Sequence, residues 1–225
     1  MLRPSAVAFD VIGTLFSLEP LRAILGNAGV PGDNAVEVLF AETLRDAFAL
    51  AATGAFQPLP AVLGASLDTV FHRAGIPALA AAVQKRIALA AMEELPAYPD
   101  AGDALTAVAA AGIPVLALSN GGASATEALL RRSGLRESVA HVVSVDEVGL
   151  AKPRREVYLH AASRAGVAPG RLALVAAHPW DVQGAKAAGL MAGFVARGQA
   201  FPPTMAKPDA EGDTLAAVAG QLARL

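Results

Sequence analysis

The chain has 225 residues, enough for one ordinary domain, or a core with an insert, around a real hydrophobic centre. Hydrophobic residues make up 54% and charged residues 17%, a balance that excludes a disordered chain; 18 basic and 20 acidic residues are mixed along it for a net charge of -2, so no basic stripe points to nucleic acid or an anionic membrane. The count of 0 cysteines excludes disulfides, thiol nucleophiles, iron–sulfur clusters and cysteine–zinc sites, and fits a reducing, cytoplasmic compartment.

The first element is the apolar run Ala6-Val7-Ala8-Phe9, read as a buried strand that delivers Asp10 to a tight turn at Gly13-Thr14. The short apolar stretch before Asp10 does not have the form of a signal peptide. From Glu19 to about Pro96 the pattern is helical, with breaks at Gly29–Asn34, Gly54–Pro60 and Gly75-Ile76-Pro77, which predicts four helices. The rhythm changes at Tyr98-Pro99-Asp100. A helix capped by Asp100 is expected over 100–111, then strands at 115–118 and 141–145 around a helix at 123–133. A helix at 153–165 with Pro153 near its first turn, a strand at 172–176, a helix at 182–188 and a strand at 192–196 follow. Residues 201–211 read as a loop before a last helix at 213–224. The longest charge-free run, Ala104–Thr126, is long enough to span a bilayer, but Gly112-Ile113-Pro114 breaks it into helix, turn and strand.

Alternation of strand and helix with short turns predicts an α/β fold, a Rossmann-like parallel sheet covered on both faces. Residues 1–17 and 97–225 form this core and 18–96 a helical insert. In such a sheet ligands bind beyond the carboxyl ends of the strands. Asp10, Ser119 with Asn120, Lys152 and Asp181 fall at those ends or in the loops after them. Each has a bland reading alone, as a turn, loop or cap residue; two acids, a lysine and a hydroxyl in one crevice make a candidate site.

These positions resemble the haloacid dehalogenase superfamily. The resemblance rests on Phe9-Asp10-Val11-Ile12-Gly13-Thr14-Leu15, Leu118-Ser119-Asn120-Gly121, Lys152-Pro153 with Tyr158, and Asp181 followed by Gly184-Ala185 and Ala188-Gly189. It implies a core with an inserted helical cap and an aspartate nucleophile, Asp10, that forms a covalent intermediate. Most of the superfamily are Mg²⁺-dependent phosphatases with a second aspartate two residues after the first and another acid near the fourth strand. Here Ile12 and Ala177 stand at those places. Without a metal, a phosphomonoester beside Asp10, Asp181 and Lys152 would bring the crevice to a net charge of about -3, and one unit pair at about 4 Å is worth roughly 4 kcal/mol at an effective dielectric of 20.

Gly13-Thr14-Leu15-Phe16 and the surroundings of Trp180-Asp181 are more similar to the type II L-2-haloacid dehalogenases. In those enzymes the aspartate displaces halide without metal or general acid, so that resemblance implies no cofactor, no metal and a small 2-haloacid as partner, with a homodimer compatible and neither nucleic acid nor membrane involved. It implies a catalytic set of Asp10, Lys152 and Asp181, to which His178 is added as a candidate on its own chemistry. The substrate-binding and positioning set is Thr14, Arg45, Ser119, Asn120, Tyr158 and Trp180. Asn120 faces the leaving group, Tyr158 supports the lysine region, and Asp181 helps orient the hydrolytic water. Ala176 and His178 depart from the Ser and Asn usual in the fourth motif; His178 is either a structural loop histidine or a water-holding or basic residue. Arg45 aligns about one helical turn from the cap arginine that holds halide, and is equally readable as a surface residue paired with Glu42 or Asp46. Trp180 reads as pocket wall, Phe48 and Phe56 as cap core. A phosphatase of the same superfamily and a member without turnover that binds a small acid or partner protein are the alternatives.

Overall fold

The computed structural model describes residues 3–225. Six strands form one parallel sheet: β1 (Ala6–Asp10), β2 (Val115–Ser119), β3 (His141–Ser144), β4 (Leu172–Ala176), β5 (Met191–Val195) and β6 (Ala210–Gly212), in the order β3-β2-β1-β4-β5-β6. Side chains alternate across the sheet, so Val7 and Phe9 enter one core and Ala6 and Ala8 the other. Burial on both faces explains why the strands read as continuous apolar runs. Helices α5 (Ala101–Ala110), α6 (Ala123–Arg132) and α9 (Leu215–Ala223) cover the first face. The second is covered by α7 (Arg155–Arg164) and α8 (Pro179–Ala187), through Val157, Tyr158, Val182 and Ala185.

Between β1 and α5 the chain makes α1 (Pro20–Ala28), α2 (Ala35–Ala52), α3 (Leu59–Arg73) and α4 (Ala78–Ala91). Leu21, Leu25, Leu39, Leu63, Leu67 and Phe71 bury the shared faces of this group. Its two connections to the sheet run side by side: Ser17 N–H donates to Pro96 O (2.9 Å) and Tyr98 N–H to Leu15 O (2.8 Å).

Three details differ from the sequence expectation. Residues 201–211 are not all loop, because β6 begins at Ala210; three residues are too few for an alternation to show. Asp100 does not cap α5; its Oδ2 accepts the Leu215 N–H (2.7 Å) and ties α9 to α5. The helix expected from residue 153 begins at Arg155, so Pro153 stands just ahead of it. Among the described residues no helix is long and apolar enough to cross a membrane.

Candidate active site

The strand order reverses beside β1, since the chain builds β2 and β3 on one side and returns to β4 on the other. A crevice forms beyond the strand ends at such a point. Asp10, Ser119 and the loop after β4 all reach it.

Lys152 is fully buried, and its ammonium is divided among three acceptors. Nζ donates to Asp10 Oδ1 (2.7 Å), Asp181 Oδ2 (2.6 Å) and Leu118 O (3.2 Å). A buried charge is tolerated when every donor is bonded. Thr14 Oγ1 donates to Asp10 Oδ2 (2.6 Å) and accepts the Ala177 N–H (3.0 Å). Tyr158 OH donates to Asp181 Oδ1 (2.6 Å). Gly184 makes room for that phenol, as a Cβ there would lie 2.3 Å from the Tyr158 oxygen.

Burial pushes the Asp10 carboxyl up, but Lys152, His178 and the hydrogen bonds from Lys152 and Thr14 outweigh it and hold the group below its usual value. Burial also pushes Asp181 up, the Asp10 charge adds to this, and Lys152 and Tyr158 offset only part, so Asp181 ends above its usual value. Burial pulls Lys152 down, and the two carboxylates more than restore it. Burial and Asp181 keep the Tyr158 phenol well above its usual value. Of the two acids, Asp10 is the one kept ready as an anion.

Asp10 opens into a small pocket bounded by Ile12, Phe40, Leu44, Leu59, Asn120 and Trp180. Ser119 Oγ accepts the Gly121 N–H (2.8 Å), which leaves the hydroxyl hydrogen to donate elsewhere. Asn120 Oδ1 accepts the Lys152 N–H (2.9 Å), an arrangement that turns the amide NH₂ away from Lys152. Trp180 Nε1 is buried and, among the described residues, has no hydrogen-bond partner. His178 is stacked on Trp180 (5.4 Å between centroids) and meets a tilted Phe40 ring (5.5 Å). Its Nε2 is 3.0 Å from Ile12 O, an acceptor that assigns the proton to Nε2, and 3.5 Å from Asp10 Oδ2. The ring approaches so closely because residue 13 is glycine: a Cβ there would lie 2.6 Å from Nε2, and φ is +81°.

The expected residues do not all meet. Asp10, Lys152, Asp181, Asn120, His178 and Trp180 gather around one point, with Ser119, fully buried and outside the pocket lining, at the adjoining end of β2. Thr14 and Tyr158, grouped with the substrate-binding residues, are fully buried, and their hydroxyls are spent on Asp10 and Asp181. Asp181 has both oxygens bonded and no exposure, so it fixes Lys152 and does not face water. Arg45 is not in the pocket: its side chain is 59% exposed and pairs with Asp46 (2.8 Å). It follows Leu44, which faces the pocket, and one residue turns a helix by about 100°.

Sequence reasoning missed Phe40, Leu44 and Leu59. Phe40, Leu44 and Phe48 stand at i, i+4 and i+8 on α2 and so share a face, and Phe48 packs edge-on against Trp180 (5.2 Å). That spacing was the available signal. Phe56 packs partly buried against the second core. Arg197 was also missed; it lies on the Tyr98 ring (3.5 Å to the centroid) and donates to Thr14 O (2.9 Å), bracing the loop after Asp10 from below.

The Mg²⁺ used by most of the superfamily does not fit these residues. Ile12 and Ala177 bring no side-chain oxygen, Lys152 Nζ already lies between the two carboxylates, and Ile12 O faces His178. Mg²⁺ needs a near-octahedral set of oxygens, and among the described residues no group of three or more His, Cys, Asp or Glu could hold a metal.

The family model for haloacid dehalogenase-like hydrolases matches residues 4–189. The chain belongs to that family. (S)-2-haloacid dehalogenase 1 of Pseudomonas sp. (strain CBS-3) is 41% identical over 101 residues, 45% of this chain and 44% of that protein. The chain thus matches less than half the length of that curated relative. A solved L-2-haloacid dehalogenase superposes with a TM-score of 0.89 at 24% identity, over 100% of both chains, a likeness of fold. The L-2-haloacid dehalogenase of Xanthobacter autotrophicus, solved with chloropropionic acid covalently bound, superposes with a TM-score of 0.84 at 25% identity, over 99% of this chain and 98% of that one.

Proposed function

We propose that the protein is a metal-independent hydrolase that converts 2-haloacids to 2-hydroxyacids through an ester on Asp10. One observation carries the reading. A carboxylate kept anionic by Lys152 opens into a pocket whose other walls bring neither a second acid nor a metal-binding set. An Asp10 oxygen attacks C2 on the side opposite the halogen, the carbon–halogen bond breaks, and the halide leaves with its electron pair while C2 inverts. Halide leaves unprotonated, so Ile12 in place of an acid costs nothing.

The Ser119 hydroxyl donates to the substrate carboxylate. The Asn120 amide and the unpartnered Trp180 indole N–H border the departing halide. These neutral donors take the part that a cap arginine would play, which the exposed Arg45 does not. In the second step water adds to the Asp10 side-chain carbon. His178 Nε2–H, 3.5 Å from Oδ2, is placed to turn from Ile12 O and donate to that oxygen as negative charge develops on it, while the water gives up its proton to solvent. The ester bond breaks, the product oxygen is protonated, and Asp10 returns as a carboxylate. One haloacid and one water give one hydroxyacid, one halide and one proton.

In the same reading, residues 1–17 and 97–225 are the catalytic core and 18–96 the cap that closes the pocket with Phe40, Leu44 and Leu59. A cytoplasmic location suits a chain without cysteine. The homodimer is tested by sedimentation.

Single turnover in H₂¹⁸O with enzyme in excess tests the chemistry. The peptide carrying Asp10 should gain about 2 Da, and the product hydroxyl should derive from the enzyme. Label entering product directly, with none in that peptide, would remove Asp10 as nucleophile. A strict Mg²⁺ requirement would restore the phosphatase alternative.

A further inference from the structure

A second cleft lies against the pocket. It has a volume of about 300 Å³ and runs between α3, the end of α4 and the start of α6. Leu63, Leu89, Met92 and Leu129 line it, and Glu93 is the only ionisable residue along it. Ile12 and Leu59 belong to both spaces and so form the wall between them. On the far side of Ile12 is Gly121: a Cβ there would lie 3.4 Å from Ile12 Cδ1 and 3.2 Å from Ser119 Oγ. The Ile12 side chain therefore stands between the catalytic pocket and the cleft, over a residue whose lack of a side chain leaves it room to turn aside.

From this adjacency we infer that the cleft receives the unbranched alkyl chain of a medium-chain 2-haloalkanoate, which enters as the Ile12 side chain turns aside. The inference rests on the dehalogenase reading for the head group and adds the class of tail. The carboxylate stays at Ser119 and C2 at Asp10, and the chain passes Ile12 and Leu59 into the cleft. An apolar lining with one carboxylate favours a neutral hydrocarbon and disfavours an acidic tail. Burying a methylene is worth roughly a fourfold gain in affinity, so several in a partly open cleft should give at least about thirtyfold for octanoate over propionate.

Trp180, the single tryptophan of the chain, borders the catalytic pocket, and its fluorescence reports occupancy without turnover. The test titrates wild type, Ala125→Phe and Ala90→Phe with propionate and octanoate. Bromide release from 2-bromopropionate and 2-bromooctanoate is then followed. Ala125 and Ala90 are exposed at opposite edges of the cleft, so a larger side chain fills it without entering the core. Wild type should bind octanoate about thirtyfold more tightly and favour 2-bromooctanoate at least about tenfold in kcat/KM. Both variants should lose that preference to within about threefold and keep wild-type rates on 2-bromopropionate. Turnover of 2-bromopropionate with no gain for the longer acids, or a variant that affects both lengths alike, would overturn the inference and leave the dehalogenase reading standing. Tight octanoate binding, lost in the variants, with no bromide released from either acid, would support the cleft and remove the dehalogenase reading.

Discussion

The two halves of the pocket are built in opposite ways. The floor, from the end of β1 and the loop after it, the loop before α7, α7 itself and the start of α8, is a buried ionic cluster in which Lys152, Asp10, Asp181, Thr14 and Tyr158 hold each other through bonds of 2.6–2.7 Å. The roof, from α2 and α3, offers Phe40, Leu44 and Leu59 and no charge. Fixed charge positions the reacting atoms, and removing any member strands the others in a low-dielectric site. The roof discriminates by shape and hydrophobic area, where a change of one side chain costs little elsewhere. Floor variants should therefore change rate and stability together, and roof or surface variants should change neither or only selectivity.

The sharpest break is Asp10→Asn. A neutral amide is a poor nucleophile, and the burst of halide release should fall by about 10⁴-fold or more; a surviving burst in quenched-flow measurements would move the nucleophile elsewhere. Lys152→Met comes next. The Asp10 carboxyl should lose its main downward influence, so the acid limb of the pH–rate profile should move to higher pH, with kcat/KM near neutrality down about 10³-fold. Two buried carboxylates left without their cation should also cost about 3–5 kcal/mol in chemical denaturation. Lys152 titrates above its unfolded value of 10.5, so the stability it contributes is complete below that pH and is lost as pH rises through the folded value. The variant should lack that alkaline loss.

His178→Ala should separate the steps. Halide release should persist as a burst, while kcat falls about 100-fold and the ester on Asp10 accumulates to be seen by mass. Equal loss of burst and steady state would place His178 in the first step. Arg45→Ala should have the smallest effect: kcat/KM within about twofold, and stability within about 1 kcal/mol, as for an exposed pair. A hundredfold loss would mean that α2 rotates in the complex and brings the guanidinium inward.

The same contrast explains what could be read from the sequence. Asp10, Ser119, Lys152 and Asp181 were legible because each is tied to a strand end, and strand ends converge by topology alone. The roof was not. Which face of α2 looks down depends on how four helices pack on the sheet, so the sequence does not single out Phe40 and Leu44 and leaves Arg45, their neighbour, open between a site role and the surface pair with Asp46 that forms. Thr14, Tyr158 and Asp181 were legible as members of the cluster but not as residues turned away from substrate, because that depends on which lone pairs the neighbours already occupy. Strand β6 is too short for an alternation to register.

The paired crossings between sheet and helices have a consequence for ancestry. The chain leaves the sheet after Phe16 and returns before Tyr98, and the two passages are stitched by backbone hydrogen bonds at Ser17–Pro96 and Tyr98–Leu15. Those bonds use no side chain, so they are indifferent to what is strung between them. A lineage could lengthen, trim or exchange everything from residue 18 to 96 and hand the result back to the same doorway, with Asp10 undisturbed. Selectivity can then drift quickly while the reacting cluster stays where it is.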